Sequence, residues 1–158
     1  MNLQQFVKML PKHLVYAPIY RKGVEIKSKD GKILKATGKN PFGDSYDRDF
    51  SPEDVAYVLE RNPKRFGAVG LFTGSKGKGL VILDVDKNLA IHKKKWGNTL
   101  DGAPCITSTK KNAAKYVFSV PEELWSSVKG RMLSEQTSTC YEILWNRQGL
   151  IFGAYPGS

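Results

Sequence analysis

The most informative run of residues in this chain is Leu80-Val81-Ile82-Leu83-Asp84-Val85-Asp86-Lys87. An apolar stretch rich in β-branched residues predicts a buried β-strand. Two carboxylates at the end of such a strand need an explanation, because a charged group is costly to remove from water. The run therefore predicts both a strand of the core and a candidate site at the rim of that core.

The two acids, Asp84 and Asp86, have the spacing for a shared role. Residues i and i+2 of a strand point to the same face, about 7 Å apart, so both carboxylates can reach the same one or two divalent metals. Carboxylate oxygens suit Mg²⁺ or Mn²⁺, and this layout is the one that two-metal phosphoryl transfer uses. The alternative is a solvated turn at the end of the strand, and the motif alone is compatible with both.

A glycine-rich segment, residues 70–79, comes directly before this strand. It joins a predicted strand at 68–72 to the predicted strand at 80–86, so we expect the two to pair, as a hairpin or as neighbours. Glycine-rich loops can also cradle phosphates. A plain hairpin turn is the simpler interpretation and the one favoured here.

The charge of the chain favours a polyanionic partner. Lys and Arg number 25 against 15 Asp and Glu, which gives a formal net charge of +10. Such an excess attracts polyanions, and nucleic acid is the first candidate partner and an anionic membrane the second. Solubility alone is an alternative reason for the charge.

No apolar run approaches the roughly 18 residues of a membrane span, so we expect no membrane partner. Cys105 and Cys140 have neither a metal-site spacing nor a disulfide framework, which favours a reduced, cytoplasmic protein.

The pattern of the whole chain predicts an α+β fold with a mostly antiparallel or mixed sheet and flanking helices. We expect a single domain over residues 1–158. Because the chain stops straight after a predicted strand, we expect it to be a fragment of a longer protein or, alternatively, a natural short product. Predicted helices lie at residues 2–10, 51–61, 88–96 and 121–125, and predicted strands at 14–20, 68–72, 80–86, 105–108, 116–120, 141–145 and 150–154. The last two strands are expected to form a hairpin around residues 146–149.

Further candidate residues lie downstream of the acids. Ser108, Lys110 and Lys111 stand in a predicted turn that offers hydroxyls and cations to a phosphate chain, or that is merely a basic solvated turn. Lys115 leads into the next predicted strand and could project toward the same place. Glu142 is an acid in an otherwise apolar strand, which is expensive unless it is exposed or paired. It is expected to face solvent or, alternatively, to serve as a third metal ligand.

Taken together, these motifs resemble the archaeo-eukaryotic primase superfamily, specifically its primase–polymerase N-terminal domain. The resemblance covers most of the chain from about residue 14 onward. The central matches are Asp84 and Asp86 after an apolar strand, residues 107–118 for the Thr/Ser-rich loop with its following strand, and Glu142 in a later strand. Upstream, Gly38-Lys39-Asn40-Pro41 resembles a Lys-x-Pro turn, and Gly70-Leu71-Phe72-Thr73-Gly74 resembles the segment before the first acids. At the end of the chain, Tyr155-Pro156-Gly157-Ser158 resembles a Pro-Ser-like turn.

The resemblance implies an RRM-like catalytic core and a template-dependent nucleotidyltransferase, a DNA primase/polymerase. Asp84, Asp86 and Glu142 would be the catalytic, metal-binding acids, holding two Mg²⁺ or Mn²⁺ ions that activate a 3′-hydroxyl and stabilise the leaving pyrophosphate. The phosphates of the incoming nucleoside triphosphate would be bound by Ser108, Lys110, Lys111 and Lys115. A single-stranded DNA template would be tracked by Lys39 and Arg147, and a helicase domain or protein would act alongside.

The chain departs from the family at its nucleotide-binding histidine, which falls on or beside Lys115 here. The glycines that usually precede it correspond to Asn112-Ala113-Ala114. A lysine can hold a triphosphate as a point charge. The departure leaves a second hypothesis, a catalytically weak or inactive nucleic-acid-binding module of the same fold, and a third, a metal-dependent nuclease that uses the same acids.

Overall fold

The computed structural model describes residues 2–107, 110–129, 131–134 and 140–153. These residues form two compact units, one from residues 2–72 and 150–153 and one from the described residues between 73 and 149. The elements, in chain order, are α1 (Leu3–Lys8), β1 (Tyr16–Tyr20), β2 (Glu25–Lys27), β3 (Ile33–Lys35), a 3₁₀ helix (Gly43–Tyr46), α2 (Pro52–Arg61), β4 (Phe66–Phe72), β5 (Leu80–Lys87), α3 (Leu89–Trp96), β6 (Cys105–Thr107), β7 (Ala114–Ser119), a second 3₁₀ helix (Glu122–Ser127), β8 (Arg131–Ser134), β9 (Cys140–Leu144) and β10 (Gln148–Gly153).

The first unit is built on a three-stranded sheet in the order β1-β4-β10. Every residue of β4 is buried, because this strand lies between two others. Strands β1 and β4 run antiparallel, and buried side chains on one face of the pair, with Val15 just before β1, form an apolar cluster. The cluster consists of Val15, Ala17, Ile19, Ala68 and Phe72.

Helix α2 begins where the sequence predicts. The Ser51 hydroxyl accepts a hydrogen bond from the Asp54 N–H, the Asp54 carboxylate accepts one from the Ser51 N–H, and Pro52 occupies the first turn. This reciprocal cap satisfies donors that a helix start otherwise leaves without partners. The predicted helix from Ser51 to about Arg61 is confirmed.

The second unit is a five-stranded antiparallel sheet in the order β6-β7-β5-β9-β8. The run that predicted a buried strand, β5, lies at the centre of this sheet. One face packs on an apolar cluster that includes Leu83 from β5 and Tyr116 from β7, together with Leu89 and Trp96 of α3. On the other face Ile82 is fully buried, and Asp84 follows it two residues later.

Two pairings expected from the sequence are wrong. Strands β4 and β5 lie in different sheets, and strands β9 and β10 also lie in different sheets, although each pair is consecutive in the chain and joined by a short turn. Apolar periodicity locates a strand but does not name its partner, since any strand with a buried face satisfies the same pattern. Strand β8, which pairs with β9 at the edge of the second sheet, was not predicted.

The α+β class with antiparallel sheets is confirmed, whereas the single domain over 1–158 stays a prediction. Within the described residues, no helix has the length and apolar character needed to cross a membrane.

Candidate functional site

A row of charged residues crosses three neighbouring strands of the second unit. Asp84 on β5 lies directly opposite Lys115 on β7 and directly opposite Glu142 on β9. Residues opposite each other in an antiparallel pair point to the same face, with Cβ atoms about 5 Å apart. The sheet register therefore places one cation and two carboxylates side by side on one face.

Asp84 is the most buried acid of the row. Its side chain is 17% exposed, and its Oδ1 lies 3.3 Å from Nζ of Lys115, whose side chain is 26% exposed. Burial raises the pKa of the Asp84 carboxyl above its ordinary value of 3.8, and the ammonium of Lys115 opposes that rise. The partial burial explains why the carboxylate needs a cation beside it.

Glu142 also lies among shielded groups, with 22% of its side chain exposed. Its Oε1 accepts a hydrogen bond from Arg147 Nη1 at 3.0 Å. The expectation that Glu142 faces solvent is therefore not what the structure shows, because the acid is both largely covered and paired. It shares a face with Asp84, as the alternative of a third ligand requires.

Asp86 lies at an irregularity of the central strand. The register between β5 and β9 shifts between Val85 and Lys87, so Asp86 is the extra residue of a β-bulge. A bulge re-aims the side chain that it carries. Asp86 Oδ1 lies 3.5 Å from Nζ of Lys110, and its negative charge contributes to the raised pKa of Asp84. The two acids therefore interact electrostatically, as their spacing predicts.

Three acids and three cations thus alternate in this part of the sheet. Among the residues that the structure describes, no three His, Cys, Asp or Glu side chains are grouped closely enough to hold a metal ion together. The donor chemistry still suits a hard cation, because Mg²⁺ is commonly bound by one or two carboxylates plus substrate phosphates and waters. Asp84 and Glu142, opposite each other, supply such a pair.

The glycine-rich loop before β5 is a closed turn, but it is not the hairpin turn favoured from the sequence, because β4 and β5 lie in different sheets. The N–H groups of Gly74, Ser75, Lys78 and Gly79 all donate to acceptors of this unit, which are Leu80 O, Asn146 Oδ1, Ser75 O and Gly74 O. A phosphate cradle needs such N–H groups to point at the ligand. Here they are used to close the loop.

The same loop fixes the position of Arg147. The Thr73 N–H donates to the Arg147 carbonyl at 2.8 Å, the Thr73 hydroxyl donates to that carbonyl at 2.7 Å, and the Arg147 N–H donates to the Thr73 hydroxyl at 3.2 Å. Thr73 is fully buried. These three hydrogen bonds, called the clasp, hold the backbone of Arg147, whose side chain pairs with Glu142.

Thr73 and Asn146 support the site, although the sequence did not predict this role for either residue. Asn146 has a positive φ of 56°, which Asn tolerates better than most residues, and its side chain accepts from Ser75 N–H at 3.0 Å. The turn chemistry of residues 146–149 was the available signal. Contacts separated by more than 70 residues left no signal in the local pattern.

The other residues predicted for nucleotide or template binding are not members of the charged row. Ser108 is outside the described residues, and so is Tyr155-Pro156-Gly157-Ser158. Lys111 is exposed in the turn between β6 and β7. Lys39 is exposed in the first unit, where its N–H donates to the Thr37 hydroxyl at 3.3 Å.

The chain was also compared with known proteins. No protein-family model matches it, and neither the curated proteins nor the solved structures contain a match.

Proposed function

We propose that this protein is a nucleotidyltransferase of the primase–polymerase type, which joins nucleotides on a single-stranded DNA template. The observation that carries the proposal is the row of Lys115, Asp84 and Glu142 across three adjacent strands. Its support is threefold: the acids share a sheet face, Asp86 interacts with Asp84, and cations suited to phosphate alternate with them. The order of the motifs along the chain, and their resemblance to the primase–polymerase domain, give the reaction class.

Lys115 of the row and the neighbouring Lys110 would bind the triphosphate of the incoming nucleotide. Lys115 and Lys110 each lie within 3.5 Å of a carboxylate that they neutralise. A phosphate chain that replaces those carboxylates as the partner of the ammonium groups would form charge-assisted hydrogen bonds with them. Lys115 takes the position of the histidine of the family, and it contributes a full positive charge in place of a titrating ring.

The acids of the row would hold the catalytic metals. Asp84 and Glu142, with Asp86 beside them, fit Mg²⁺ or Mn²⁺, which when bound supplies charge stabilisation at the attacking and leaving oxygens. Arg147, now paired with Glu142, would be released toward the phosphate backbone of the template. Because the clasp with Thr73 fixes the backbone of Arg147, only the side chain has to move.

A second candidate function is a nucleic-acid-binding module without catalysis. One observation favours it: each acid of the row is already paired with a cation, and the described residues hold no group of three metal ligands. Such a module would use the lysines and the net charge and leave the acids as structural partners.

The decisive experiment is primer synthesis on single-stranded DNA with Mn²⁺ and labelled nucleoside triphosphates. We expect the wild-type chain to form labelled products and Asp84→Asn to form none. The matched control is Asp101→Asn, which removes an exposed carboxylate of the same unit and should leave synthesis unchanged.

Each other outcome has a distinct meaning. Synthesis that survives in a folded Asp84→Asn variant would remove this acid from the reaction. Absence of synthesis in the wild-type chain, together with template binding, would favour the binding module. Shortening of the DNA without synthesis would favour the metal-dependent nuclease.

A further inference from the structure

A basic ribbon of the first unit contains none of the residues proposed for the nucleotidyl transfer. We use this name for residues 22–35, whose strands β2 and β3 form a two-stranded sheet of their own. The ribbon carries five lysines against two acids, Glu25 and Asp30. All five lysines are exposed: Lys22, Lys27, Lys29, Lys32 and Lys35.

The foot of the ribbon is anchored in the first unit. The Ala36 N–H donates to the Val24 carbonyl at 2.7 Å, and Ala36 itself is buried. The Arg65 guanidinium donates to the Glu25 carbonyl at 3.1 Å. These bonds fix the point at which the ribbon leaves the unit.

The tip of the ribbon is closed by its own hydrogen bonds. The Ser28 N–H donates to the Lys32 carbonyl at 2.8 Å, and the Lys32 N–H donates to the Ser28 hydroxyl at 3.1 Å. Gly31 has a φ of +82°, the left-handed conformation that short hairpin loops require. Because the backbone of the ribbon is held at both ends, binding requires little further ordering of the backbone that carries the lysines.

The register distributes the cations over both faces of the ribbon. Lys27 lies opposite Ile33, and Lys35 lies opposite Glu25, so these residues share one face. The next pair, Ser28 with Lys32, lies on the other face, together with Leu34. The ribbon therefore presents positive charge in two opposite directions.

We propose that the basic ribbon enters the major groove of duplex DNA and contacts phosphates on both walls of the groove. The major groove is about 12 Å wide and admits a two-stranded ribbon. Cations on both faces match the two phosphate backbones that border it. The inference rests on the proposed function in one respect, since a primer–template duplex is the partner that this function brings to the chain.

An anionic membrane fits the ribbon less well. Its two most exposed apolar side chains, Ile33 at 72% and Leu34 at 49% exposed, are neighbours in sequence and point to opposite faces. A membrane offers a single plane, to which a binding element presents one apolar face with cations around it. The ribbon has no such face, because each side carries one of the two apolar residues and at least one lysine.

The test measures binding of the full chain to a duplex of about 20 base pairs by fluorescence anisotropy over a series of salt concentrations. The ribbon variant is Lys27→Gln with Lys32→Gln, which removes one lysine from each face. The matched control is Lys94→Gln with Lys95→Gln, which removes two exposed lysines of α3 and the same total charge. All four positions are exposed, so we expect every variant to fold.

We expect the ribbon variant to bind duplex DNA roughly tenfold or more weakly at low salt. Its plot of log affinity against log salt should be flatter by about 2, one unit for each lost phosphate contact. The control should keep the slope of the wild type. Equal slopes in the two double variants, or no duplex binding by the wild type, would overturn the proposal.

Two further measurements distinguish this proposal from a membrane-binding ribbon and from the proposed nucleotidyltransferase function. Loss of binding to phosphatidylserine vesicles, with duplex binding unchanged, would make the ribbon a membrane element and overturn the proposal. Primer synthesis is measured on the same variants. A wild type that synthesises nothing yet shows ribbon-dependent duplex binding would refute the proposed function alone, and active synthesis with no ribbon effect would refute the ribbon alone.

Discussion

Replacing Lys115 by methionine tests whether the charged row is held by charge or by packing. Methionine keeps an unbranched stem of similar length and removes the ammonium that lies 3.3 Å from the Asp84 carboxylate. Breaking a fully buried pair from one side costs about 3–5 kcal/mol, whereas an exposed pair is worth about 0.2–1 kcal/mol. With side chains 17% and 26% exposed, this pair lies between these cases, and we expect a loss of about 2 kcal/mol at pH 7.

The loss should depend on pH in a defined direction. Burial holds the pKa of folded Asp84 above 3.8, and removing Lys115 raises that pKa further, because the ammonium is the largest influence that lowers it. An acid with a raised folded pKa contributes its stability at low pH and loses it as the pH rises through that pKa. The deficit of the variant should therefore be smallest near pH 4, grow between the two folded pKa values, and level off above them.

Urea denaturation at a series of pH values from 4 to 7 measures this deficit. At neutral pH, about 2 kcal/mol corresponds to a fall of about 4–8 °C in Tm for a chain of this size. Lys94→Met, at an exposed position of α3, is the control and should stay within about 0.5 kcal/mol of the wild type at each pH. A deficit that is constant with pH would refute the reasoning, since it would reflect lost packing.

Three other substitutions test the framework of the two units. Ser51→Ala removes the reciprocal cap with Asp54 and should cost about 1 kcal/mol, seen as a Tm about 2–4 °C lower in calorimetry; an unchanged Tm would mean that the cap adds nothing. Gly74→Ala places a Cβ against Asn146 at a residue whose φ is +75°, so its free energy of unfolding in urea should fall by about 1–3 kcal/mol. An unchanged urea midpoint would show that the added Cβ causes no steric clash. Ile82→Ala opens a cavity at a fully buried position of β5 and should cost about 2–5 kcal/mol, so a loss below 1 kcal/mol would argue against its central place.

Local sequence signals predicted the elements well and their pairing poorly. The cap at Ser51 and the apolar run at 80–86 each depend on neighbouring residues, and both elements appear where expected. The hairpins expected for 68–86 and 141–154 depend instead on which strand edge is available in three dimensions. That choice is made by contacts between distant segments, such as β4 with β1, which no local pattern encodes.

For the candidate site too, local signals predicted some features, whereas features set by contacts between distant segments were missed. The positions of Asp84 and Lys115 followed from strands that could be located in the sequence, and their pairing across β5 and β7 brings them together. The bulge at Asp86 could not be foreseen, because it arises from a register shift against β9. The role expected for Arg147 as a template contact omitted its pairing with Glu142, which depends on a turn fixed by Thr73.

The alternation of acids and cations has a thermodynamic consequence for ligand binding. Under the proposed function, a divalent metal on Asp84 would compete with the ammonium of Lys115, and a polyphosphate on Lys115 would compete with the carboxylate of Asp84. Either ligand alone leaves one half-buried charge without its partner, whereas both together satisfy each charge. If the proposed function is right, metal and nucleotide should bind with positive heterotropic cooperativity, and linkage requires that each raises the affinity of the other by the same factor.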